Sequence, residues 1–125
     1  MKYIYVTNNP LVKNKYKKNT EYILGTNLEV FEFVKKKIMK GYKLITHPLT
    51  GNITPDVIPY KTVIIIKSSS FNNYSLKLIN KSIDYLLRLD YNSNKHKWSK
   101  KAKEDFKLLD LDFAVKALEN QSKIN

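Results

Sequence analysis

The sequence predicts an α/β fold of three layers: a mainly parallel sheet of about four strands, flanked by helices, with a C-terminal helical tail. Three observations carry this expectation. Short β-rich runs alternate with runs of helical period along most of the chain, the pattern of strand–helix–strand units. The run "TVIII" (Thr62 to Ile66) is continuously apolar, as in a strand covered on both faces. The chain has 125 residues, which fits one domain with a core of its own.

Each element has a local signal. "KYIYV" (Lys2 to Val6) is β-rich and alternating, so it reads as the first strand. "TNNP" (Thr7 to Pro10) breaks it, and Pro10 suits the first position of a short helix through Leu11, Val12 and Tyr16. "EYIL" (Glu21 to Leu24) reads as a second strand stopped by Gly25. Thr26 with Glu29 three residues on is a capping box. Behind it Leu28, Phe31, Val34 and Ile38 share one helical face, and Gly41 marks the helix end. "YKLIT" (Tyr42 to Thr46) is the third strand and Thr62 to Ile66 the fourth. Leu76, Ile79, Ile83 and Leu86 then form the apolar face of a helix over Tyr74 to Leu89.

The expected domain covers residues 1–91, and residues 92–125 are a basic linker and an amphipathic helical tail. Ala102, Phe106, Leu109, Phe113 and Ala117 fall on one face of that tail. Asp110 or Asp112 could cap a second helix within it, so one helix or two are both consistent with the pattern. An apolar stripe of this kind needs a covering surface. Docking on its own domain is the expectation, and exchange between two copies in a homodimer is the alternative.

Composition removes whole classes of chemistry. There is no cysteine, which excludes disulfides and thiolate catalysis. The two histidines, His47 and His96, lack ligand-spaced partners, so neither a metal site nor any cofactor is expected. The first apolar run is too short for a secretory signal, and no run approaches the ~20 residues of a membrane span. The expectation is a soluble cytoplasmic protein. The net charge of +12 raises a nucleic-acid reading, in which Trp98 of the tail would take part. Of the 23 basic residues, however, only Arg88 is arginine, the better residue for bidentate phosphate and base contacts. A solvated lysine-rich surface is the simpler account.

Ligands of parallel α/β sheets bind outside the carboxyl ends of strands. Two unusual segments follow such ends: "TNNP" after strand one and "THPLTGNITPDVIPYK" (Thr46 to Lys61) after strand three. If those strands are neighbours, the two segments lie side by side. They would then bring together Thr7, Asn8, Asn9, Thr46, His47, Gly51, Asn52, Tyr60 and Lys61, with Thr50 among them. Amides, hydroxyls and an ammonium suit a small anion, a carboxylate or phosphate. Gly51 permits close backbone approach, and Pro48, Pro55 and Pro59 remove loop freedom before binding. Structural roles compete with this reading: Asn8 and Asn9 as helix caps, His47 as a bonded loop residue, Tyr60 as packing. If the chain is an enzyme, His47 is the candidate general acid or base.

"VTNNPLVKNKY" and "LEVFEFVKKKIMKGYKLITHPLTGNITPDVIPYKTVII" resemble the GrdX family over roughly residues 1–90. The pieces that carry the likeness are "TNNP", "KGYKLITHPLTG" and "PYKT". The family often has a proline–asparagine–glutamate step before "PYK"; this chain has "TPDVIPYK", with Asp56 and Val57 there. The resemblance implies small bacterial proteins encoded beside the glycine, sarcosine and betaine reductase genes of anaerobic amino-acid fermenters. It implies a gene context rather than a reaction. A non-enzymatic accessory or regulatory protein, binding a small anionic ligand or a reductase component, is the expectation it supports. A small enzyme built on His47 and a nucleic-acid-binding protein are the alternatives.

Overall fold

A computed structural model describes residues 2–49, 58–92 and 98–124. Four strands form one sheet: β1 (Tyr3–Thr7), β2 (Thr20–Tyr22), β3 (Tyr42–Leu44) and β4 (Thr62–Lys67). Four helices flank them: α1 (Pro10–Lys15), α2 (Asn27–Met39), α3 (Asn73–Asn92) and α4 (Lys100–Ile124). A 3₁₀ turn over Lys17–Asn19 leads into β2.

The sheet order is β2-β1-β4-β3. β1 pairs with β2 in parallel, but β4 runs antiparallel to both β1 and β3. The sheet is therefore mixed, which corrects the expectation of a mainly parallel one. Strands β1 and β3 do run the same way in one sheet, but they are not neighbours; β4 separates them. The physical reason lies in what an apolar run reports. Val63, Ile64 and Ile65 are fully buried because helices cover both faces of β4. Burial on both faces is independent of strand direction, and it was the direction that the pattern left open.

Alternation along the strands sorts side chains onto two cores. On one face Val6, Val63 and Ile65 pack with Val30, Phe31, Val34 and Ile38 of α2 and with Ile79 and Leu86 of α3. On the other, Tyr5 and Ile64 pack with Val12 of α1 and Ala114 of α4. Tyr5 also stacks on Tyr16, with ring centroids 4.0 Å apart and planes 7° from parallel.

The helix signals act as the sequence predicts. The Thr26 side chain accepts from Glu29 N and the Glu29 carboxylate accepts from Thr26 N, so the capping box of α2 is complete. Gly41, at φ 99°, makes the left-handed turn out of α2 into β3. Pro10 opens α1, with Asn9 as its cap. The tail is one continuous helix, and Asp110 lies in its middle rather than at a cap. Ala114 is fully buried against this chain's own sheet with Leu111, Ala117 and Leu118 around it, whereas Leu109 of the expected stripe is 51% exposed, so the covering face is rotated from the one the pattern gave. Trp98, just before α4, packs edge-on against Phe106 at 4.9 Å.

Candidate functional site

β1 ends where β4 begins, because Thr7 is the register partner of Thr62. That antiparallel register, rather than a β1–β3 pairing, brings "TNNP" against the end of the Thr46–Lys61 segment. Asn8 N donates to Lys61 O at 3.4 Å, and Lys61 N donates to Asn8 Oδ1 at 2.8 Å.

Asn8 is a buried hub. Its Nδ2 lies 3.0 Å from Gly25 O, 3.1 Å from Asn27 Oδ1 and 3.1 Å from Pro59 O, three acceptors for two hydrogens. Asn27, the first residue of α2, donates in turn to Ile58 O at 2.8 Å. One amide thus ties together the end of β1, the turn before α2 and the segment before β4.

Asn9 turns the opposite way. Its Oδ1 accepts from Leu11 N at 3.0 Å and caps α1. Its Nδ2 donates to Lys107 O at 2.9 Å and Asp110 Oδ2 at 3.0 Å, both on α4. The same carboxylate oxygen accepts from Thr62 Oγ1 at 2.6 Å, the length of a hydrogen bond to a charged carboxylate. Thr7 Oγ1 lies 2.7 Å from Thr62 Oγ1 and accepts from Asn9 N at 3.0 Å. With Asp110 ionised, the hydroxyl directions follow: Asn9 N–H to Thr7, Thr7 to Thr62, Thr62 to Asp110. Each link polarises the next.

Electrostatics at this spot are set by burial. Asp110 and Lys61 are each 8% exposed. Burial raises the Asp110 carboxyl above its ordinary range, against the opposing pull of the Thr62 and Asn9 hydrogen bonds and the Lys61 charge. Burial lowers the Lys61 ammonium, against the opposing Asp110 charge. The Lys61 Nζ also sits 5.8 Å from the Phe113 ring centroid, over α4.

The structure therefore brings Thr7, Asn8, Asn9 and Lys61 into one buried cluster. Tyr60 faces α4 beside it, with Lys107 Nζ 5.7 Å from its ring centroid. Thr46 lies on the other flank of β4, where its hydroxyl accepts from Ile64 N at 3.0 Å. His47 is exposed, and its Nδ1 accepts from Leu49 N at 3.0 Å. Thr50, Gly51, Asn52, Pro55 and His96 lie outside the described residues. Among the described residues no group of three or more His, Cys, Asp or Glu side chains is placed to hold a metal ion. No helix among them is long and apolar enough to cross a membrane.

Asp110 and Thr62 are the members that sequence reasoning missed. A signal existed: Asp110 falls in phase with Phe106, Phe113, Ala114 and Ala117 on the inner face of α4. An acid on an otherwise apolar stripe has to meet polar partners.

Neither a curated protein nor a solved structure matches the chain. A family model described as "GrdX-like protein" does, over residues 4–119. The match holds every described member of the cluster, and it runs through most of α4, well past residue 90. The chain belongs to the GrdX-like protein family.

Proposed function

We propose that this chain is a non-enzymatic accessory or regulatory protein of glycine, sarcosine or betaine reduction in anaerobic amino-acid fermentation. It recognises a small anion, or an acidic group of a reductase component, where β1 stops and β4 starts. The observation that carries the reading is the convergence of the Asn9 amide, the Thr62 hydroxyl and the Lys61 charge on one carboxylate. That donor set matches the chemistry of a carboxylate or phosphate. Family membership supports the metabolic setting, since the family's name is consistent with glycine reductase association.

The second reading is an enzyme in which His47 acts as general acid or base. One observation favours it: Leu49 N donates to Nδ1, so the neutral ring carries its proton on the outward Nε2. A single comparison separates the two. Purified protein is screened by thermal shift against glycine, sarcosine, betaine, acetyl phosphate and nucleotides, and by gel filtration against purified reductase components. A ligand at ~100 times its dissociation constant adds about 2.7 kcal/mol to stability. The accessory reading expects such a shift, or a co-eluting component, to survive His47→Ala with the ligand chemically unchanged. Turnover of a screened compound that disappears in His47→Ala would replace it with the enzyme reading.

A further inference from the structure

The anion site proposed above is already filled by the chain itself. Asn9 Nδ2 and Thr62 Oγ1 both donate to Asp110 Oδ2, at 3.0 and 2.6 Å. The carboxylate comes from α4, the element furthest from β1 in sequence. Lys61 stands on the same side, its Nζ over Phe113, one turn along from Asp110 on α4. Around this pair α4 is covered only in part, with Leu111, Ala117 and Leu118 half-buried about Ala114. Over residues 100–119 of α4 only Asp110 and Ala114 are buried, whereas Leu108 and Leu109 are 57% and 51% exposed.

We propose that Asp110 is an internal stand-in for a carboxylate ligand, so that ligand binding and the docking of α4 at this point compete. The inference rests on the anion-binding reading above and adds what that site is doing in the absence of ligand. Three features of the cluster support it. The donors belong to the sheet and to α1, so they stay in place if α4 moves: Asn9 is fixed by Leu11 N, and Thr62 by its register with Thr7. The acceptor belongs to an element that joins them through a few polar contacts, Asp110 Oδ2 and Lys107 O. The buried Lys61 ammonium acts on the Asp110 carboxyl through its charge, and it would act in the same sense on another carboxylate in that place. A free carboxylate entering the site would take the two hydrogen bonds of Asp110, and α4 would lift around Asp110. A reductase component could then read the change in α4.

An intrachain competitor weakens the apparent affinity by the fraction of molecules in which it is displaced, so a cover seated nine-tenths of the time or more weakens it about tenfold or more. The test uses the full chain and acetate as the probe, with sodium chloride at matched ionic strength as the control. Thermal-shift titrations are run on the wild type, Asp110→Ala and Asp110→Ala/Lys61→Met. The expected result is acetate-specific stabilisation of Asp110→Ala with an apparent affinity about tenfold or more above wild type. The double variant should lose that stabilisation. Should Asp110→Ala not fold, Asp110→Asn keeps the shape and an acceptor oxygen while removing the charge. The readout is then whether acetate speeds hydrogen exchange of α4 at a lower concentration in Asp110→Asn than in wild type.

Equal acetate affinity in wild type and Asp110→Ala would overturn the competition and leave the anion-binding reading standing. So would acetate-independent exchange of α4 in a wild type that binds acetate. No acetate response in any variant would remove both.

Discussion

Asn8 and Asn9 are adjacent in sequence, yet their side chains serve different parts of the molecule. Asn8 organises the loops on one side of β1, and Asn9 joins α1 to α4 on the other. Each Asn→Ala change strands buried partners, so each is expected to lower stability by about 1–3 kcal/mol in denaturant unfolding. A loss near zero for Asn8→Ala would mean that water or a shifted backbone replaces the hub. Asp110 makes a pH prediction with a definite sign. Its folded-state pKa lies above the ordinary 3.8, so the native state binds the extra proton. Its contribution is fully present below pH 3.8 and is lost as pH rises through the raised value. Stability of the wild type relative to Asp110→Asn should fall over that window. Lys61 acts in the other range: its contribution is present above pH 10.5 and is lost as pH falls through its lowered value. Melting temperatures of wild type and Asp110→Asn, measured from acid upward, check the first of these. A constant difference between them would show that Asp110 titrates as an ordinary carboxylate.

At the scale of elements, the parts with self-contained signals were legible. The capping box at Thr26, the stripe through Phe31, Val34 and Ile38, and Gly41 at the end of α2 all act within a few residues of themselves. Thr26→Ala is accordingly expected to cost about 0.5–2 kcal/mol, measured by chemical unfolding. Truncating Phe31, fully buried between sheet and helices, should cost about 3–5 kcal/mol in the same assay. What was not legible depended on partners far along the chain. The direction of β4 is fixed by pairing with β1 and β3, whereas its own residues report only burial. The single span of α4 was obscured because Asp110 and Asp112 have the residue type of a helix cap. Asp110 instead serves Thr62 and Asn9, 48 and 101 positions away.

For the whole molecule, the decisive feature is that α4 belongs to the same three-layer body as the sheet. Tyr5, Val12 and Ile64 form the second core with Ala114, and Leu111, Ala117 and Leu118 pack around them. A chain ending after Asn92 would expose that face, so it is expected to lose solubility and melt at lower temperature than the full chain. Unchanged melting and solubility would mean that α4 adds nothing to the core. The candidate site was legible in part for the same reason that the second core was not. Thr7, Asn8, Asn9 and Lys61 were found from their place at strand ends, although the strand pairing that unites them was different from the one expected. Their covering carboxylate comes from α4, and only the fold reveals that contact.

If the end of β1 is an anion site covered by the chain's own Asp110, a free carboxylate should loosen α4 there. Hydrogen exchange across α4 in the full-length wild type, in acetate and in chloride of equal ionic strength, tests it most directly. Faster exchange in acetate is expected for the amides around Lys107 to Ala114, with α2 and β4 unchanged. Exchange in α4 that stays the same or slows, under conditions where acetate binding is independently measured, would contradict it.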